Sequence, residues 1–520
     1  MSRMLAEPIR GLLARIQASF PGQGEPQSGD GSVEVNSIIA TASTAYEKIR
    51  YLVDYRDEHT IRRNAIERIL KRKIFIEHAG VGGGELLSEL VNSRYLPKEQ
   101  ASDALALEID SVIRKFLEVW SKSGSNPGVG KRLFSFAATE IDSHLSPFLY
   151  ALQESASDAF HATVRTRVVA AHLRPEDIEE QLYCAVWRSL FAADNERLSY
   201  ELWLLCVPKW REGKAEAQEV VGNLGMTLRR IRAAINDELQ WQIVPRIRNE
   251  SIYFSVISEI VNEYKDRAGR VLDDPKALDT FTRSFLEKRY ERENRRIRTS
   301  GFRAVIFLFI TKMIVALSLE IPYDTITLGA VQYGPLLINL IFPPALLFAL
   351  TRRVGALGEK NTEKILRGLR GVVYAEGPAP RPIRLRNRFV RTAFIFGAVY
   401  LVLLVLVFGG LMGFLAAFGF DPLAIALFVF FLALVSYFAF RIRYRASRWK
   451  VVAEESASAL LTSIFTFPII RTGQWLSRTF SSINVFVLIL DFIIEVPFKR
   501  LLDFSNQFIF YLREKAEEIR

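Results

Sequence analysis

TAFIFGAVYLVLLVLVFGGLMGFLAAFGFDPLAIALFVFFLALVSYFAF, residues 392–440, contains no Lys or Arg and one acidic residue, Asp421. As helix it is apolar all round, with no polar stripe to turn toward water, so it cannot be a soluble core element. The run Gly419-Phe420-Asp421-Pro422 is a stop-and-restart signal inside it. Two membrane spans are expected, 394–420 and 422–442.

Working outward, residues 304–321 (AVIFLFITKMIVALSLEI) form a third apolar run, which Pro322 is expected to end. Eighteen helical residues rise about 27 Å, close to the thickness of the hydrocarbon core. A fourth, 328–350, contains Pro343-Pro344 and reads as a broken helix. The block 301–442 is therefore expected to hold four spans in two hairpins, joined by a loop over 351–393.

Basic residues near the span ends predict the orientation. Residues 287–303 carry seven Lys/Arg and three acids, 351–393 carry eleven and three, and 441–450 carry five and none. The connections 322–327 and 419–422 carry no basic residue. Both termini and the 351–393 loop are thus expected on the cytoplasmic side of a plasma-type membrane. The three basic segments contribute +4, +8 and +5 against +11 for the whole chain, which leaves about −6 elsewhere. The surplus is juxtamembrane and reads as contact with anionic lipid head groups. The expected contacts are Arg352, Arg353, Arg384, Arg386, Arg388, Arg441, Arg443 and Arg445. The same bookkeeping argues against a nucleic-acid partner.

The remainder reads as helix. Residues 1–20 place Leu5, Ile9, Leu12, Leu13, Ile16 and Phe20 at helical spacing among arginines, unlike a secretory signal. Such a helix either lies on the membrane surface or packs on a soluble domain. A Gly/Pro/Ser-rich linker, 21–32, follows. Residues 33–300 show helical periodicity with no convincing alternating strand, and predict a large helical cytoplasmic domain. Beyond the spans, 443–520 reads as amphipathic, interfacial or cytoplasmic helices. The fold class is an all-α integral membrane protein.

Motifs for chemistry are sparse. Gly80-Val81-Gly82-Gly83-Gly84 lacks a third glycine in dinucleotide-binding register, and Pro127-Gly128-Val129-Gly130-Lys131-Arg132 lacks the leading Gly and the Ser/Thr of a phosphate loop. Both are expected to be turns using positive φ. The five His show no metal-ligand spacing and the two Cys form no CxxC, so no metal, cofactor or catalytic centre is expected. Two features inside the spans carry more. Gly409, Gly413 and Ala417 repeat every four residues and predict a helix-packing face. Lys312 lies mid-span, where charge is costly and calls for an acceptor. Glu320, eight residues on, is about 12 Å along the helix and not directly in line, so Asn339 and carbonyls freed by Pro343-Pro344 are the favoured acceptors, with Asp491 or Glu495 if the C-terminal segment dips into the membrane.

These features favour a non-enzymatic multi-pass membrane protein, a scaffold or assembly factor that engages protein partners through 33–300. A homo-oligomer is compatible with the small-residue face. The alternative is an oligomeric channel or transporter using the broken second span and Lys312. A third reading, an enzyme acting on lipid, has only the basic surface in its favour.

Overall fold

The computed structural model describes residues 5–19, 58–77, 80–169, 174–352, 358–376, 382–385, 390–451 and 457–483. These are nearly all helix and divide into two compact units. The first is Met1–Leu286 with Glu359–Asn387, and the second is Glu287–Gly358 with Arg388–Arg520.

The first unit has two cores. One gathers α2 (Glu58–Phe75), α3 (Gly83–Asn92), α4 (Asp103–Lys122) and α5 (Pro127–His144), with α8 (Asn195–Cys206) and α9 (Ala217–Asn236). The other gathers α1 (Glu7–Ser19), α6 (Pro147–Arg165), α7 (Pro175–Phe191), α10 (Gln240–Tyr264) and α11 (Ala268–Asp273). Local chemistry starts these helices where the chain allows. Asn126 accepts from the amides of Gly128 and Val129 with Pro127 at the first helical position, and Asp194 accepts from Arg197 N. Trp187, Trp203 and Trp210 are fully buried, whereas Trp241 is 73% exposed and packs in neither core.

Two further segments join this unit from outside residues 33–300. The apolar face of α1, Ile9, Leu12 and Ile16, is buried against α6 in the second core, and Arg15 pairs with Asp158. Of the two expectations for this helix, packing on the domain is the arrangement present. The 351–393 loop is the second case. Its helix α15 (Glu359–Tyr374) buries Leu369, Val373 and Tyr374 in the same core. Ala6 N donates to Val373 O at 2.8 Å, and the Tyr374 hydroxyl donates to Leu272 O at 2.8 Å. Just beyond it, β2 (Ile383–Arg384) pairs in parallel with β1 (Val168–Val169), a two-residue bridge too short for any alternation to signal.

Among the described residues, the second unit carries four helices long and apolar enough to cross a membrane. They lie in α12 (Pro275–Val315) with its extension, α14 (Tyr333–Arg352), α16 (Val390–Ala417) and α17 (Pro422–Ala446). α12 passes from the first unit into the second near Leu286. Span limits differ from expectation. Pro322 does not end the first span: a π-helical turn, Ala316–Glu320, precedes it and α13 (Ile321–Thr327) continues. Proline removes an amide and clashes with the carbonyl four residues back, and a wider i→i+5 turn relieves that clash. The second helix starts at Tyr333, not 328, and runs through Pro343 and Pro344 to Arg352 as one element, so the span is not broken. The third ends at Ala417; Gly419, at φ +81°, turns the chain, and Asp421 caps α17 through the amides of Leu423 and Ala424.

Packing in this unit inverts the soluble pattern. Val399, Leu401, Val402, Val405 and Leu406 of α16 are each more than half exposed, while Lys312 and Asn339 are fully buried. Water would not tolerate such a surface, and lipid does. α18 (Ala457–Ile483) packs closely on α17: a Cβ on Gly473 would lie 2.0 Å from Ala433 O. The 27 residues of α18 form one helix through Pro468. The remaining C-terminal stretch, with Asp491 and Glu495, lies outside the described residues.

Candidate functional site

Lys312, Glu320 and Asn339 meet inside the second unit, at the junction of α12, the π-turn, α14 and α17. The Lys312 ammonium donates to Glu320 Oε1 at 2.9 Å. Asn339 Nδ2 donates to the same oxygen at 2.5 Å and to Ala424 O at 3.2 Å. Two acceptors on one side of the amide fix which end is nitrogen. Phe431 places its ring 4.6 Å from the ammonium, a cation–π contact. Lys312 and Asn339 are 0% exposed and Glu320 is 3% exposed.

The π-turn makes this pairing geometrically possible. On an α-helix, seven residues return to within about 20° of the starting azimuth and eight overshoot by about 80°. A π-turn absorbs one extra residue, since it winds less per residue. Glu320 therefore lies in line with Lys312, contrary to the expectation drawn from regular α spacing. Asn339 also bonds the cluster, but as Glu320's partner rather than as the lysine's acceptor.

The site is a closed, formally neutral pair. Separating it leaves a buried charge, which is far costlier than the pair itself. Two acceptors, Glu320 Oε2 and Asn339 Oδ1, have no hydrogen-bond partner among the described residues. They are the atoms here that can take a proton, a water or a small cation.

The other sequence candidates fall elsewhere. A Cβ on Gly409 or Gly413 would meet nothing within 4 Å, so among the described residues their face of α16, Ala417 included, is open. The close backbone approaches are at Gly473 and at Gly301, where a Cβ would lie 2.9 Å from Thr351. Of the arginines, Arg384 sits in β2 of the first unit and is exposed, as is Arg441 on α17. Arg352 ends α14, and Arg443 and Arg445 lie on α17; Arg353, Arg386 and Arg388 lie outside the described residues. The two glycine motifs are not positive-φ turns. Gly83 and Gly130 are in helices and mark close approach, because a Cβ would lie 2.1 Å from Ala106 O and 2.7 Å from Trp120 Nε1 respectively. Cys184 and Cys206 are free, and burial pushes the Cys184 thiol up to about 12. His144 lies 3.1 Å from Glu108 and His161 3.5 Å from Glu179. Among the described residues no cluster of three or more His, Cys, Asp or Glu could hold a metal ion.

Sequence reasoning missed a buried polar network in the first unit. Glu201, 1% exposed, accepts from the Tyr150 hydroxyl at 2.7 Å and lies 2.9 Å from Arg197 Nε. Only the four-residue Arg197–Glu201 spacing hinted at it. Burial pushes the Glu201 carboxyl up to about 6 and that of Glu154 up to about 7.

Compared with known proteins, the chain matches no family model, and neither a curated protein nor a solved structure is similar to it.

Proposed function

We propose that this chain is a non-enzymatic multi-pass membrane protein, a scaffold or assembly factor that presents its helical unit to protein partners on the cytoplasmic side of a plasma-type membrane. The observation that carries this reading is the closure of the intramembrane charge. Lys312 is answered by Glu320 of its own helix and sealed from solvent, which is how a bundle locks itself rather than how a pathway is lined.

The topology belongs to the same proposal. Residues 359–374 share a core with residues 5–19 and 243–278, so both stretches belong on one side of the bilayer. The intervening chain must then cross an even number of times, which supports α12 and α14 as a hairpin. The alternation of basic residues argues that this side is cytoplasmic.

A channel or transporter is the second reading, favoured by the unfilled acceptors Glu320 Oε2 and Asn339 Oδ1. Liposomes containing the full chain separate the two. The scaffold reading expects proton, Na⁺, K⁺ and Cl⁻ fluxes equal to those of empty liposomes, together with cross-linked cytoplasmic partners in cells that persist in a Lys312→Met/Glu320→Gln variant. A flux present in the wild type and abolished in that variant would replace it with the transporter reading.

A further inference from the structure

The first unit contains a cleft of about 420 Å³ between α2, α5, α8 and α9. Its floor is apolar: Phe136 from α5, and Leu228, Ile231 and Ile235 from α9. Its wall carries Lys131 and Arg132 from α5, with Arg232 from α9. The stretch that echoes a phosphate loop in sequence thus supplies two of these cations, from a helix rather than from a loop.

The charges in the cleft do not cancel. Lys71 pairs with Glu67 in the same helix, and Glu196 is the other carboxylate of the lining, against the three further cations Lys131, Arg132 and Arg232. Lys131, Arg132 and Arg232 have no ion-pair partner among the described residues. An excess of positive charge in one cleft is unfavourable, and a bound anion relieves it.

A second observation points the same way. Ser135 lines the cleft and is 8% exposed, yet its Oγ has no hydrogen-bond partner among the described residues. Thr139 and Ser199 of this unit donate to the carbonyl four residues back, whereas the Ser135 hydroxyl, like that of Ser157 elsewhere in the unit, does not. A buried hydroxyl left unbonded costs about 1–3 kcal/mol, a cost that a ligand acceptor would offset. We propose that this cleft is a binding site for a small organic oxyanion, its phosphate or carboxylate held by Arg132, Arg232, Lys131 and the Ser135 hydroxyl, its apolar body lying on Phe136 and Ile231. The site is independent of the intramembrane cluster and of the scaffold reading.

Phenyl phosphate is the probe, titrated calorimetrically into the full chain in nanodiscs of zwitterionic lipid, with empty discs subtracted. Saturable binding at one site per chain is expected, about tenfold or more tighter than inorganic phosphate because the ring adds apolar burial. Arg132→Gln/Arg232→Gln should weaken it by about tenfold or more, since each removes a charged hydrogen bond, with the melting temperature of the unliganded protein not lowered. Lys131→Glu, at an exposed position that cannot disturb the core, should weaken it as well. Absence of saturable binding overturns the site. So does binding that is indifferent to Lys131→Glu and to the double variant, and so does equal affinity for inorganic phosphate.

Discussion

Lys312 sets the strongest requirement at the scale of single residues, because every alternative to its present partner is worse. Replacing it with Met leaves the Glu320 carboxylate buried beside Asn339 with no cation. The expected loss is roughly 3 kcal/mol, the scale for an unpaired buried charge. Lys312→Met/Glu320→Gln removes both charges and keeps an acceptor for the asparagine, so it should recover most of that loss. Unfolding in mixed micelles measures both, and equal stability of the single and double variants would dismiss the pair as a lock. Glu154 supports a second test. Its folded pKa of about 7 lies above its ordinary value of 4.5, with burial as the main cause and Glu201 next. The folded state therefore holds a proton that the unfolded state releases, and stability falls as pH rises from about 4.5 to about 7. His161, lowered by burial, works in the opposite sense below its ordinary value of 6.5. Glu154→Gln is thus expected to raise stability at pH 8 relative to wild type and to leave it unchanged at pH 4.5. Denaturation of the full chain at the two pH values reads this difference, and a parallel shift at both would contradict it.

At the scale of elements, two glycine-bearing helices make opposite predictions. α18 rests on α17 through Gly473, where even an alanine Cβ would lie 2.0 Å from Ala433 O and 2.8 Å from Tyr437 Cβ. Gly473→Ala must push the helices apart, and a loss of roughly 1–3 kcal/mol is expected from overpacking. Gly413→Ala, on the open face of α16, should leave the stability of a single chain unchanged. Sedimentation of the same variant shows whether that face is used between chains. The π-turn is legible only in part. Pro322 signals that the helix must adjust, but whether it stops or widens depends on the apolar surroundings of Ala316–Glu320, which make ending the helix inside the bundle costly.

The whole molecule carries the prediction on sidedness. Single cysteines at Ile326, 85% exposed in the last turn of α13, and at Phe418, 65% exposed just past α16, should react with an impermeant thiol reagent in intact cells. One at Glu376, exposed at the end of α15, should react only after permeabilisation. These are tested in a background with Cys184 and Cys206 replaced by Ser. Labelling of Glu376→Cys in intact cells, without the other two, would reverse the orientation.

What the sequence determined by itself was the class: helix throughout, four runs too apolar for water, and the turn at Gly419–Pro422. These rest on composition and periodicity over tens of residues, where each position repeats the same message. What only the tertiary structure decided was partnership. Leu369, Val373 and Tyr374 read equally well as an interfacial stripe and as a core stripe, and only the presence of α1 and α10 beside them assigns α15 to the first unit. The glycines at 409 and 413 obey a packing pattern and meet nothing within 4 Å among the described residues, while Gly473, in no pattern, makes a close approach to Ala433. Lys312 announced that it needed an acceptor but not which one, because one extra residue in one turn swings an azimuth by about 100°. Long-range contacts depend on such small local displacements accumulated along a helix, and a linear pattern does not record them.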